Sequence, residues 1–263
     1  MKLKCLLGGG SAMLEGKIVH SASDSYGTIL VVDYPRYRAL SFDSIYEQSG
    51  FYLEKPYAVV HEYIRIMMLV LGFTEPRHAM LLGLGGGSLL RSLHHYLDHC
   101  DFHVVELRAK VYDIARDYFD IPDDQRVWVS IEDAGLQIQS SKDASTDIIF
   151  ADLYDAYHMS PLQVQKQFAQ ECSRTLTRNG WLVMNFHRLP DTHSAFFIAL
   201  TEHFSTLLVC SGEFGNHILF ACKSHSVNYD QAPAKLKNME AILDETFMPL
   251  FHRLKPVASS ARV

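Results

Sequence analysis

Four clusters of glycine or acid, each directly after a short apolar run, have the makings of a nucleoside site beside a cation site. Gly83-Leu84-Gly85-Gly86-Gly87-Ser88 follows the run AMLL. Small residues there let backbone approach a ligand, and a helix beginning after them would offer its free N–H groups. Glu106, followed by Leu107, closes the next apolar run about 20 residues on, where a carboxylate can accept from both hydroxyls of a ribose. Glu132-Asp133-Ala134 comes after VWVSI, and an acid at that strand end can accept from an adenine amino group. Asp152-Leu153-Tyr154-Asp155 comes after DIIFA and sets two acids and a phenol over the centre, where a cationic amine would be held and deprotonated. A nicotinamide dehydrogenase shares the first two features, but Ser88 stands where its third glycine would be and no hydride-site constellation follows.

The elements that must carry these residues follow from periodicity. From Ala79 onward, apolar runs at 79–84, 102–107, 127–131, 147–152 and 181–186 alternate with helical spacing at 89–97, 109–119, 162–176 and 192–203. That alternation predicts a mostly parallel, doubly wound α/β sheet, with ligands at the carboxyl ends of its strands. Runs at 207–209 and 218–222 lack a helix between them and predict a terminal hairpin around Gly212 and Gly215. Upstream, residues 17–56 carry short β-rich segments separated by turn residues, a small antiparallel subdomain. Val60, Tyr63, Ile64, Met67, Met68 and Leu71 then predict a helix over 57–72, with the methionines in the core. Residues 1–16, with their Gly-Gly-Gly-Ser run, are expected to be loose. The main domain is expected over 57–225 and a helical tail over 226–263, one helix interrupted at Pro249.

Composition narrows the class. Hydrophobic residues at 48% and charged residues at 21% suit a globular protein. A net charge of −6, with Lys142, Lys166, Arg174 and Arg178 scattered singly, leaves no basic patch for nucleic acid. Five cysteines without CxxC spacing read as free thiols in a reducing compartment, the cytoplasm. The start is too short in apolar residues for a secretion signal, and no run reaches the ~18 needed to span a bilayer, so no membrane partner is expected.

From Ser25 to Cys222 the chain resembles the spermidine synthase family and its bacterial relatives. The resemblance rests on Ser25-Tyr26-Gly27, Phe42-Asp43 through Glu47-Gln48, the helix with Tyr63 and Arg65, MLLGLGGGSLLR, VVEL, IEDA, FADLYD and NGWLVMNF. It implies the Rossmann-like fold of class I S-adenosylmethionine-dependent methyltransferases and a homodimer. It further implies that Gln48, Tyr63, Gly83, Gly85, Gly86, Gly87, Glu106, Leu107, Asp133, Ala134 and Asp152 bind S-adenosylmethionine or its decarboxylated form. Asp152, Tyr154 and Asp155 would serve a small amine acceptor, with no metal.

One departure bears on the donor. Aminopropyltransferases of this family carry an acid in a GGGDGG loop, and this chain has Gly86 there. That acid would repel the carboxylate of intact S-adenosylmethionine, by about 4 kcal/mol at ~4 Å and an effective dielectric of ~20. Its absence sets methyl transfer slightly ahead of aminopropyl transfer to putrescine; a non-catalytic nucleoside-binding homologue is a further alternative.

Other clusters have plainer readings. His94, His95, His99 and His103 lie near Cys100 and Asp98, but no second ligand pair with metal spacing follows, so they read as a polar helix end. Trp128 and Trp181 read as packing residues. His158, Ser160 and Pro161 are either a substrate wall, as the resemblance implies, or a polar connection starting a helix. His187 follows the fifth run and is a candidate to face the cleft.

Overall fold

The computed structural model describes residues 2–6, 13–43 and 47–257. The chain opens with β1 (Lys2–Leu6), β2 (Met13–Asp24), β3 (Gly27–Asp33), β4 (Tyr37–Phe42) and β5 (Glu47–Tyr52), which pair in that order into an antiparallel sheet. β1 pairs with β2 from Lys2 opposite Lys17 to Leu6 opposite Met13, so these stretches of 1–16 form strand rather than loose chain. The Lys-Leu-Lys-Cys-Leu alternation is a strand pattern that the adjacent glycine run overshadowed. Between β2 and β3, Asp24 Oδ1 accepts from Tyr26 N at 2.8 Å and Gly27 takes φ 113°, a conformation open to glycine. Ile29, Val31, Leu40, Phe42 and Phe51 bury one face of this sheet against Val111, Ile114 and Phe119 of the main domain.

The main domain begins with α1 (Glu62–Met68), which runs on through a 3-10 turn to Gly72. Helix therefore starts five residues later than the apolar spacing predicts. Then come β6 (His78–Leu82), α2 (Ser88–Tyr96), β7 (Asp101–Glu106), α3 (Ala109–Tyr118), β8 (Val127–Ile131), α4 (Ala134–Ser140), β9 (Thr146–Ala151), α5 (Lys166–Thr175), β10 (Leu176–Phe186), α6 (Ala195–His203), β11 (Thr206–Ser211) and β12 (His217–Cys222). The tail supplies α7 (Ala232–Leu243), α8 (Met248–Phe251) and β13 (Lys255–Pro256). The described sheet has the order β13-β11-β12-β10-β9-β6-β7-β8, parallel from β10 to β8, with β12 antiparallel to β10 and to β11.

Strand alternation sorts the core into two layers. Ala79 and Leu81 of β6 join α1, α2 and α7 through Met67, Leu90, Leu93, Leu236 and Met239. Met80 and Leu82 face the other way, to Ile138, Phe168, Cys172, Phe196 and Leu200 of α4, α5 and α6. Trp181 is buried as expected, whereas Trp128 is 48% exposed because β8 is an edge strand, and it stacks on His103. The tail breaks before Pro249, not at it: Asp244 takes φ 53° and ends α7, and Pro249 then sits in the first turn of α8. Proline is tolerated there because the missing N–H has no helical partner anyway.

Topology locates the cleft. β7 lies on one side of β6 and β9 on the other, so the chain switches direction at β6, and the connections leaving the ends of β6 and β9 diverge. In such a sheet a ligand is expected at the carboxyl ends of these two strands.

Candidate active site

The turn leaving β6 is drawn tightly onto the end of β9. Gly83 takes φ 94°, its N–H donates to Val105 O at 2.9 Å, and a Cβ on it would lie 2.4 Å from the Asp152 carbonyl oxygen. Gly87, at φ 73°, donates to Leu84 O at 2.9 Å and opens α2. Behind the loop, the buried Arg91 guanidinium donates to the carbonyls of Gly86, Phe119 and Pro56. Burial lowers its pKa to about 9. β5 crosses the front of this loop: a Cβ on Gly86 would lie 2.9 Å from Ser49 Oγ, and one on Gly85 3.7 Å from Ser49 Cβ. Gln48 is the neighbour of Ser49 on that strand.

Glu106 ends β7 nearly fully buried, and both carboxylate oxygens are engaged by backbone. Leu84 N donates to Oε2 at 3.0 Å and Arg108 N to Oε1 at 2.9 Å. Burial raises its pKa, and the N–H groups oppose that shift only in part. Leu107 beside it is exposed, and Ala134 is buried. Asp133 is the N-cap of α4, accepting from Gly135 N at 2.9 Å and Leu136 N at 3.1 Å. The Arg108 side chain reaches the β2–β3 turn, donating to Asp24 at 2.8 and 3.0 Å and to Gly27 O at 3.0 Å. The Ser25-Tyr26-Gly27 turn is thereby brought beside the end of β7.

Asp152 lies half-buried at the end of β9, held by side chains from two directions. Asn185, near the end of β10, donates from Nδ2 to Oδ1 at 2.8 Å. Tyr63 of α1 donates its phenol from the other side. Burial raises the pKa of Asp152; the two hydrogen bonds and the nearby His187 pull it back in part. The Tyr154 hydroxyl donates to Asn185 O at 3.0 Å, its ring lies 4.7 Å from that of His187, and burial pushes its pKa well up. A phenol so hard to ionise is a hydrogen-bond donor rather than a base.

Asp155 is placed differently. It is exposed, and its Oδ1 accepts from Tyr157 N and His158 N, each at 2.7 Å, so in this conformation it shapes its own loop. That loop touches the N-terminal sheet through Tyr157 Oη, which donates to Asp43 O at 3.0 Å. Ser160 and Pro161 start a 3-10 turn, the polar-connection reading. The histidines disperse: His94 bonds Asp124 at 2.8 Å, His95 stacks on Tyr57, and His103 bonds Ser130 at 2.8 Å.

The structure also adds residues that the spacing of the sequence did not single out. His61 precedes α1, its ring 6.1 Å from that of Tyr63. Burial lowers its pKa to about 4, leaving a neutral imidazole whose buried Nε2 has no partner among the described residues. Asn185, Asn216 and Ser49 complete the set. His61 lay two residues before Tyr63 inside the predicted helix, with nothing to single it out; Asn185 stood in the NGWLVMNF run without being picked as a site residue, and nothing in its own neighbourhood marks Asn216.

Comparisons with known proteins agree with this fold. The polyamine aminopropyltransferase of Neisseria meningitidis serogroup A is 29% identical over 221 residues, covering 82% of this chain and 83% of that protein. A probable spermidine synthase from Corynebacterium glutamicum superimposes with a TM-score of 0.72 at 22% identity, covering 85% of this chain and 88% of the other. Human methyltransferase-like protein 13, solved in complex with SAH, superimposes with a TM-score of 0.61 at 20% identity, covering 71% and 94%. The sheet is thus the Rossmann-like fold of class I methyltransferases. The spermine/spermidine synthase domain matches residues 58–208, the stretch that carries the glycine loop, Glu106, Asp133 and Asp152. With its cleft built on that stretch, the chain belongs to the spermine/spermidine synthase family.

Proposed function

We propose that this chain is an aminopropyltransferase, taking decarboxylated S-adenosylmethionine as donor and a small diamine of the putrescine class as acceptor. The observation that carries the reading is the placing of Asp152. Its carboxylate is fixed by Tyr63 and Asn185 at the end of β9, and its own backbone touches the glycine loop. An acid there can hold an ammonium directly beside a nucleoside bound by Glu106 and Asp133.

The donor supplies an electrophilic carbon next to its sulfonium; the chain aligns the amine and removes its proton. An alkylamine with a pKa near ~10 is almost wholly protonated at neutral pH, so attack requires proton removal, and Asp152 is the acceptor at hand. Its burial, by raising its proton affinity, suits it to that task. His61, two residues before Tyr63, is held neutral by burial and so adds no positive charge to repel the amine. Alignment of nitrogen, carbon and sulfur supplies much of the remaining acceleration.

Gly86 led the sequence to favour methyl transfer slightly, and the relatives named polyamine aminopropyltransferase support the opposite order. The geometry is compatible with them. Ser49 Oγ stands where a side chain at Gly86 would reach, and a hydroxyl there can accept from the ammonium of an aminopropyl tail.

Mass analysis of the amine product, with each donor offered in turn alongside putrescine, tests the reading. An acceptor enlarged by an aminopropyl group, formed from the decarboxylated donor, is the expected result. An acceptor enlarged by a methyl group from intact S-adenosylmethionine would replace this reading with methyl transfer.

A further inference from the structure

We propose that Asn216, on the loop joining β11 to β12, is a positioning residue that acts through Asn185 to set the orientation of the Asp152 carboxylate. The proposal rests on Asp152 being the group that serves the amine.

An asparagine side chain has a donor end and an acceptor end. Asn185 turns its donor end to Asp152, with Nδ2 at 2.8 Å from Oδ1. Its acceptor end, Oδ1, receives Asn216 Nδ2 at 3.0 Å. Asn185 is 3% exposed, so water does not readily stand in for either partner. Turned over, the amide would point its oxygen at a carboxylate and its NH2 at another NH2, two repulsive contacts in place of two hydrogen bonds. Asn216 therefore selects the rotamer in which Asp152 meets a donor. The backbone carbonyl of Asn185 is also taken, by Tyr154 Oη at 3.0 Å and Gln163 Nε2 at 3.2 Å, which leaves the side chain amide as the only adjustable joint.

The loop that presents Asn216 is itself anchored. Gly212 N donates to Asn216 O at 2.7 Å, and Glu213 N donates to Glu62 Oε2 at 2.7 Å. Arg253 Nη2 donates to Glu62 Oε1 at 3.0 Å. Glu62 lies between His61 and Tyr63, so the same contacts tie the loop to the helix that reaches Asp152 from its other side. Asp152 is held by a clamp whose jaws are Tyr63 and the Asn216–Asn185 pair. The other titratable groups facing it are Tyr154, from the connection after β9, and His187, after β10.

Steady-state kinetics of Asn216→Leu, Asn185→Leu and the double variant, across pH, test the proposal. With Asn216→Leu, kcat should fall roughly ten- to a hundredfold while the donor KM is little changed, the effect of a misaligned reacting group. The acidic limb of the kcat profile should move to higher pH, because a carboxylate that loses a donor binds its proton more tightly. The double variant should be no slower than Asn185→Leu, since both act through one joint. A lowered rate with an unmoved acidic limb, or independent losses in the double variant, would overturn the proposal in favour of a purely structural hairpin contact. Should the wild-type chain turn over neither donor, the functional reading fails on its own. Carboxyl-carbon NMR titration of Asp152 in wild type and Asn216→Leu then decides: an upward shift in the variant supports the clamp, and coincident curves overturn it.

Discussion

Glu106 is buried and Asp152 half-buried, and their hydrogen bonds say what each is for. Both oxygens of Glu106 face N–H groups, so Glu106→Gln would press an amide NH2 against one of them. An unsatisfied buried donor costs about 1–3 kcal/mol; the variant should melt lower and lose nucleoside affinity, measured by thermal denaturation and calorimetry. Asp152 differs in one partner: the Tyr63 hydroxyl can turn to accept from an amide, which a backbone N–H cannot. Its pKa is raised in the fold, so the folded chain binds that proton more tightly than the unfolded chain does. Stability therefore declines as pH rises through the ordinary carboxylate value of ~3.9 towards the folded value. Asp152→Asn, which cannot ionise, should melt at a higher temperature than wild type at neutral pH, and the gap should close below that range. The acids were legible in the sequence because each ends a parallel strand after a short apolar run. His61, Asn185 and Asn216 were not, because an imidazole or amide takes its role from neighbours distant in sequence: Asn185 and Asp152 are separated by a whole crossover, and Asn216 comes from a hairpin beyond it.

At the scale of elements, the glycine loop works because it approaches β9 so closely. Gly83→Ala would place a methyl 2.4 Å from the Asp152 carbonyl at a φ of 94°. The strain of such a backbone is about 1–3 kcal/mol before the clash is counted, so the variant should be destabilised and lose turnover together, by denaturant melts and assay. The strand–helix alternation of the main domain was legible because a parallel strand is buried on both faces and reads as an unbroken apolar run, as 148–151 does. Helix boundaries were less so. Residues 57–61 share the apolar spacing of α1 but form turns, and His61, whose extended backbone precedes the first helical turn, makes no side-chain cap to announce the start. In the tail, Pro249 drew attention as a breaker, whereas the break lies at Asp244, whose left-handed backbone carries little signal in a lone aspartate.

Across the whole molecule, the small N-terminal sheet completes the cleft. Arg108 carries one link, to Asp24 and Gly27, and Tyr157 another, to Asp43. Partial burial raises the pKa of Asp24, but the Arg108 hydrogen bond and the Tyr26 N–H outweigh it, so the net direction is down. That part of the attachment is present above the ordinary aspartate value and is lost as pH falls through the lowered one. Arg108→Met should remove this pH dependence and raise hydrogen exchange in residues 24–27 without unfolding the main sheet. The antiparallel character of this sheet was legible from its turn residues, but its place over the glycine loop was not, since it depends on Phe51 and Ile29 packing against α3. The central claim is that Asp152 serves the amine while Glu106, Asp133 and the glycine loop hold the donor. Parallel calorimetry and turnover on Asp152→Asn test it most directly: donor affinity close to wild type with turnover abolished is the predicted result, and substantial residual turnover would contradict it.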